Sequence, residues 1–472
     1  MDQEAARNIS LEEIDRQTVL HPFTPLKTYA HNEMGDPRIV ETGKGVRIQD
    51  QKGRDLLDGF AGLYCVNIGY GRKEVADAIY EQAKKLAYYH AYAAHSTEAL
   101  IRLSERLVRM APGDMSKVYY GLSGSDANET NMKLVWYYHN ILGKPEKKKV
   151  ISRERGYHGC SVMSGGLTGM SFYHDLFDLP TGPIRHTGAP HYYWGMQDGE
   201  SEEDFSKRRA RELDEMIQAE GPDTVGAFIG EPVLGTGGIT PPPAGYWAAI
   251  QEVLKKYDIL LIADEVVTGF GRTGQMFGSE TYGIEPDIIT IAKGLTSAYV
   301  PLSGSIINKK VYDVFEMATD KVGPFSHGYT YSGHPIGAAA AMANLDIVEN
   351  EDLPGNAART GGYFQEQLHK TFDDHPMVGE VRGVGLMAAL EFVADKEGKK
   401  RFDPSLKVGA KVSAKALENG LIARAMPHGD ILGFAPPLVI DKGEVDEMID
   451  MTKRAVDAVA DTLTREESWK AA

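Results

Sequence analysis

The sequence predicts an α/β fold: a large domain on a mostly parallel sheet flanked by helices, with a smaller α+β domain drawn from both chain ends. Three observations predict it. Short Val- and Ile-rich runs, KKKVIS, TVGAFIG, DILLIADEVV, PDIITIA and LSGSIIN, recur through the middle of the chain, and continuous apolar runs of this length read as strands buried on both faces. Segments of helical period lie between them, such as 201–219 and 245–256, each able to cross back over the sheet. The flanks differ, since 36–61 carries Lys-Gly and Gly-Arg turns before any long helix.

In chain order, 36–61 reads as β-hairpins, 118–121 as a strand entering a helix, and the five apolar runs as the large sheet. Residues 378–393 read as a hairpin, 404–419 as a helix, 421–440 as short strands and 443–466 as a closing amphipathic helix. The expected spans are 1–75 for the amino-terminal part of the small domain, 76–335 for the large domain and 336–472 for the rest of the small domain. The Ala-rich stretch IGAAAAMANLDIVEN reads as one helix across the second boundary.

Composition narrows the function classes. With 42% hydrophobic and 25% charged residues the 472-residue chain is ordinary globular material. A formal net charge of −16 offers no basic face, so nucleic-acid and other polyanionic partners are not expected. Two cysteines, Cys65 and Cys160, supply no disulfide framework and fit a reducing compartment. The amino end, MDQEAARNISLEEIDRQ, is too acidic for a signal peptide, and no apolar run reaches the ~18 residues of a membrane span. A cytoplasmic protein without a membrane partner is expected.

Three segments carry chemistry. In VYYGLSGSDANETNMKLV a strand breaks at Gly121 and enters a helix through small residues, leaving backbone N–H groups suited to a phosphate. Gly124 permits close approach and Ser125 adds a hydroxyl. In DILLIADEVVTGFGRTG, Asp264 closes an apolar strand, where α/β enzymes place their chemistry. The literal G-x-G-x-x-G at Gly269, Gly271 and Gly274 is not followed by a helix signal, since Gly278, Gly283 and Pro286 come next, so it reads as a decoy for a nicotinamide site. In PDIITIAKGLTS, Lys293 closes another apolar strand, and a lysine in such a place is pushed toward its neutral, nucleophilic form. Individually these features fit a turn, a cap and a snorkelling lysine. Together, a phosphate cradle, a buried carboxylate and a strand-end amine are what pyridoxal 5′-phosphate requires. His158 and Cys160 lie close in sequence, but two ligands without partners do not make a metal site, and none is expected.

From HPFTP at 21–25 through APPLV at 435–439, and above all in DEVVTGFGRTG followed by IAKGL, the chain resembles the class III (omega) aminotransferases of pyridoxal-phosphate fold type I. The resemblance implies that Lys293 bonds the cofactor's aldehyde, that Asp264 partners its ring nitrogen, and that Gly124 and Ser125 hold its phosphate. It further implies that Tyr157 and Val266 cover the two ring faces and that Glu231 is the acid beside the cofactor. Thr330 would reach the phosphate from a neighbouring subunit, which implies a homodimer with shared active sites and leaves a tetramer open.

Relatives using 2-oxoglutarate carry glutamine after D-E-V; here that residue is Val267, which resembles the amine:pyruvate branch. Arg424 sits where that branch has an arginine for the substrate carboxylate. Tyr64, in a place often held by Trp, and Phe23 with Tyr88, Tyr89 and Tyr92 resemble its pocket lining. The expected activity is transfer of an amino group from a primary amine or ω-amino acid to pyruvate, giving L-alanine. The alternatives are a taurine, 4-aminobutyrate or diamine aminotransferase, an aminomutase, or a decarboxylating transaminase on the same scaffold.

Overall fold

The computed structural model describes residues 9–470; residues 1–8 of the acidic amino end lie outside the described part. Among the described residues, fifteen strands form three sheets. The amino-terminal strands β1 (Val40–Lys44), β2 (Arg47–Asp50) and β3 (Asp55–Asp58) form an antiparallel meander turned at Gly45 and Gly53, both with positive φ. The central sheet holds β4 (Met115–Gly121), β5 (Lys149–Arg153), β6 (Ile184–Thr187), β7 (Val225–Gly230), β8 (Leu260–Asp264), β9 (Ile288–Ile291) and β10 (Ser303–Asn308), in the order β4-β10-β9-β8-β7-β5-β6.

All five expected runs form strands of that sheet. Strands β7, β8 and β9 are buried at every residue, which explains why their sequences do not alternate. Pairings from β6 to β9 are parallel, whereas β10 runs antiparallel to both neighbours. A parallel return needs about a dozen residues and a helix, and the connection 292–302 contains no α-helix. Strand β6 escapes sequence reading because three of the four residues of Ile-Arg-His-Thr, at the sheet edge, are polar.

The expected helices form at Glu202–Glu220, Tyr246–Lys256, Pro335–Asn350, Val408–Glu418 and Lys442–Arg465. The last starts at an Asp441–Glu444 capping box and turns nine buried residues, from Val445 to Leu463, onto the core. A third sheet pairs β11 (Val378–Val384), β12 (Met387–Phe392), β15 (Ile431–Phe434) and β14 (Arg424–Ala425), while β13 (Leu421–Ile422) joins β3 in parallel. One hydrophobic cluster joins Val46, Leu57, Ile68 and Val75 to residues from Ala340 to Trp469. Among the described residues no helix is long and apolar enough to cross a membrane.

Candidate active site

Strands β4, β5, β7, β8 and β9 point their carboxyl ends to one edge of the central sheet, where open α/β sheets place their ligands. There a cavity of about 320 Å³ is lined by Ser123–Ser125, Tyr157, Glu231, Asp264, Val266 and Lys293.

Lys293 follows β9 with a φ of 44°, in the left-handed region that ordinary residues avoid. It is half-buried, with Nζ 5.2 Å from the centre of the Tyr64 ring, and no hydrogen bond or ion pair engages its side chain among the described residues. Burial pushes its pKa down; Cys65, Asp264 and Glu231 oppose the shift and Arg424 adds to it. An amine with unused donors at a cavity wall is available to react.

Asp264 ends β8, buried. Its Oδ2 accepts from Asn128 Nδ2 at 2.9 Å and His158 Nδ1 at 2.7 Å, while Oδ1 accepts from Val266 N at 3.2 Å. Asn128 also donates to the His158 carbonyl at 2.8 Å, and its own Oδ1 accepts from Thr290 and Asn131. The carboxylate is thus fixed by a buried network, and such networks hold one geometry. Sequence reading set His158 aside as a stray metal ligand and did not single out Asn128, yet both bind Asp264. The available signal was the i, i+3 pair Asn128 and Asn131 on a helix face that is otherwise apolar at Met132 and Val135.

The helix Gly124–Ile141 begins at a capping box in which Ser123 Oγ accepts from Asp126 N and Asp126 accepts from Ser123 N. The N–H groups of Gly124 and Ser125 belong to the first turn, which the helix itself does not use. A Cβ on Gly124 would lie 3.1 Å from Val266 Cγ2, so the close approach expected there is to Val266. Ser125 Oγ accepts from Cys160 N at 3.1 Å.

Glu231, buried just after β7, accepts from Tyr157 N at 3.0 Å and Gly235 N at 2.7 Å, and burial pushes its pKa up. Tyr157 is half-buried, with its hydroxyl 3.1 Å from Cys160 Sγ and its ring centroid 5.4 Å from that of Tyr173. Val267 and Cys65, the latter not among the expected site residues, also line the cavity.

The remaining candidates stand around it. Tyr64 is 1% exposed, packs on Phe60 and has a hydroxyl without a hydrogen-bond partner among the described residues. Arg424 on β14 is half-buried, its guanidinium 5.6 Å from the Phe60 ring centre, and it makes no salt bridge among the described residues. Phe23, 71% exposed, meets the edge of Tyr173. Thr330 and Tyr89 lie outside the cavity of their own chain: Thr330 is exposed and its carbonyl accepts from Tyr88 Oη at 2.5 Å, and Tyr89 stacks on His90. The glycine run opens no helix at Gly274. Residues 274–277 are bends, a helix starts at Gly278, and Glu265 accepts from Gly278 N and Ser279 N.

A free amine, a fixed carboxylate and a helix end built of small residues, with Tyr157 and Val266 in the cavity wall, fit what pyridoxal phosphate needs. Comparison with known proteins agrees. A model of the family "Aminotransferase class-III" matches residues 28–456. The chain is 71% identical to "Uncharacterized aminotransferase y4uB" of Sinorhizobium fredii, over 97% of this chain and 98% of that protein. It is 61% identical to a diaminobutyrate–2-oxoglutarate transaminase of Halomonas elongata, over 97% and 98%. The omega transaminase of Pseudomonas jessenii in complex with PMP superposes with a TM-score of 0.94 at 44% identity, covering 97% of this chain and 99% of that one.

Proposed function

The chain belongs to the class III aminotransferases, which use pyridoxal 5′-phosphate, and from that premise we propose that it transfers the amino group of a primary amine or ω-amino acid to pyruvate, forming L-alanine. The observation that carries the reading is Arg424: a half-buried guanidinium near the cavity, without a carboxylate partner among the described residues, suits a small keto acid that brings its own carboxylate. The apolar Val267 in the cavity wall supports the same branch.

When bound, pyridoxal phosphate supplies an aldehyde that takes up the amino group and a protonated ring that accepts an electron pair. Lys293 would hold that aldehyde and, with its Nζ free, would act as the base. Burial keeps Nζ toward the neutral form, the form that could take a proton from the amine-bearing carbon and give it back. Asp264, fixed by Asn128 and His158, keeps a negative charge at the ring nitrogen. The helix end at Gly124 and Ser125 holds the phosphate. Tyr157 and Val266 confine the ring, Glu231 closes its side, and Arg424 orients the keto acid's carboxylate. Thr330 and Tyr89, exposed on their own chain, serve the site of a second copy in a homodimer, and Phe23 and Tyr64 line the amine side.

One observation favours a second reading. The Halomonas relative at 61% identity is named for diaminobutyrate and 2-oxoglutarate. Initial rates separate the two. Alanine formed from pyruvate and a panel of primary amines, faster than glutamate from 2-oxoglutarate and 2,4-diaminobutanoate, supports the proposal; the reverse order replaces it with the diamine reading.

A further inference from the structure

Behind Glu231 the chain makes a fully buried loop, 231–240, whose carbonyls cannot be satisfied by water. Two arginines, Arg155 in the turn after β5 and Arg382 on the third sheet, satisfy three of them, at Gly237, Gly238 and Ile239. Arg155, two residues before Tyr157 and itself at φ 64°, donates through Nε to the Gly237 carbonyl at 2.9 Å and again through a terminal nitrogen. Arg382 on β11 donates through Nε to the carbonyls of Gly238 at 3.1 Å and Ile239 at 3.0 Å, and through Nη2 to Gly238 at 2.6 Å. The fit is close, since a Cβ on Gly237 would lie 2.1 Å from the Arg155 carbonyl oxygen.

The arginines are joined to each other on the far side. Arg155 Nη1 lies 2.5 Å from His191 Nδ1, and His191 Nε2 lies 2.9 Å from Glu380 Oε2. Arginine only donates, so Nδ1 accepts and the imidazole proton is on Nε2, given to Glu380. Glu380 pairs with Arg382 at 2.6 Å, and Arg382 pairs with Glu391 at 2.8 Å, which also accepts from Trp194 at 2.7 Å. His191, Glu380 and Glu391 offer ligand atoms within 4.8 Å of one another. The positive charge a metal would bring to these carboxylates is already supplied by Arg382.

The ring therefore closes: Arg155, His191, Glu380, Arg382, the loop carbonyls, and back to Arg155. It touches the candidate site at two points, through the three-residue run Arg155–Tyr157 and through Gly235 N, which holds the Glu231 carboxylate. We infer that Arg155, His191, Glu380 and Arg382 are positioning residues that fix Tyr157 and Glu231 from outside the cavity, so that β11 sets how tightly the cavity holds pyridoxal phosphate. The inference rests on the reading that Tyr157 and Glu231 flank the cofactor. A network that preorganises contact residues works through them and touches no substrate itself.

The test is made on the full chain, with Arg382→Met, Arg382→Lys, Glu380→Gln and Glu231→Gln compared as apoproteins and after loading. Three quantities are read: the thermal midpoint of the apoprotein, the dissociation constant for pyridoxal phosphate, and the visible circular dichroism of the bound cofactor. Arg382→Met is expected to bind the cofactor about tenfold more weakly with a diminished dichroic band, and Arg382→Lys to recover part of both. Should Arg382→Met not fold, Glu380→Gln, which leaves both arginines on their carbonyls, decides with a smaller change in the same direction. A lower midpoint with unchanged affinity and dichroism makes the ring merely structural and overturns the inference. Unchanged cofactor binding in Glu231→Gln instead overturns the reading beneath it.

Discussion

Replacing Asp264 by asparagine changes one charge and almost no shape, and the geometry fixes how the new amide sits. Oδ2 receives two donors, from Asn128 and His158, whereas Oδ1 receives one long bond from Val266 N. The amide has a single acceptor oxygen, which therefore takes the Oδ2 place and leaves its NH₂ at the Oδ1 place, facing the Val266 N–H. Stability falls by about 1–3 kcal/mol, from one lost bond and two weakened charge-assisted ones. The larger effect is on chemistry. On the role proposed for Asp264, an N–H donor would stand where an anion would hold a proton on the cofactor's ring, and losing one preorganised charge of this kind costs about 10²–10³ in kcat. The assay follows the cofactor's absorbance after mixing loaded protein with an amine donor, beside a thermal melt. A loaded, folded Asp264→Asn protein reacting within about threefold of the parent would refute the reasoning.

The other predictions concern the amine, the carboxylate and the acid limit. Lys293→Ala retains the fold, because it removes a side chain that holds no hydrogen bond, and forms no detectable alanine; melting and an alanine assay check both parts. Arg424→Ala raises KM for pyruvate by about ten- to a hundredfold, the weight of hydrogen bonds to a charged group, and leaves KM for an uncharged amine within about twofold; equal losses on both substrates would remove the arginine from its role. Buried His139 and His191 are held neutral, their pKa lowered from 6.5 to about 4 chiefly by burial. Below pH 6.5 the unfolded chain binds protons that the folded one refuses. Stability should thus be complete above 6.5 and fall as pH drops toward about 4, by up to about 1.4 kcal/mol per pH unit for each histidine. Denaturant midpoints across that range, flatter in His139→Gln, measure it.

Much of this was legible because the chemistry sits where strands end. Asp264 and Lys293 each close an apolar run, and buried strands announce themselves by composition. The Gly269–Gly274 run was legible as a decoy because no helix signal followed it; in the fold Gly274 packs instead on Ala358. What stayed hidden depends on contacts between distant segments. His158 reaches Asp264 only because β5 and β8 flank β7, and Asn128 does so from the interior of a helix. The clamp on loop 231–240 joins positions 155, 191, 237, 380 and 382, and no local pattern relates them. Tyr89 and Thr330 illustrate a further limit: resemblance places Tyr89 in the pocket lining and Thr330 at the cofactor's phosphate, while both are exposed on their own chain.

The central claim is that the amine of Lys293 meets the aldehyde of pyridoxal phosphate opposite Asp264. Borohydride reduction of the loaded protein, followed by peptide mapping, tests it directly. The account predicts a stable pyridoxyl group on Lys293, absent from Lys293→Ala; a label on another lysine, or none on a protein that carries the cofactor, would contradict it.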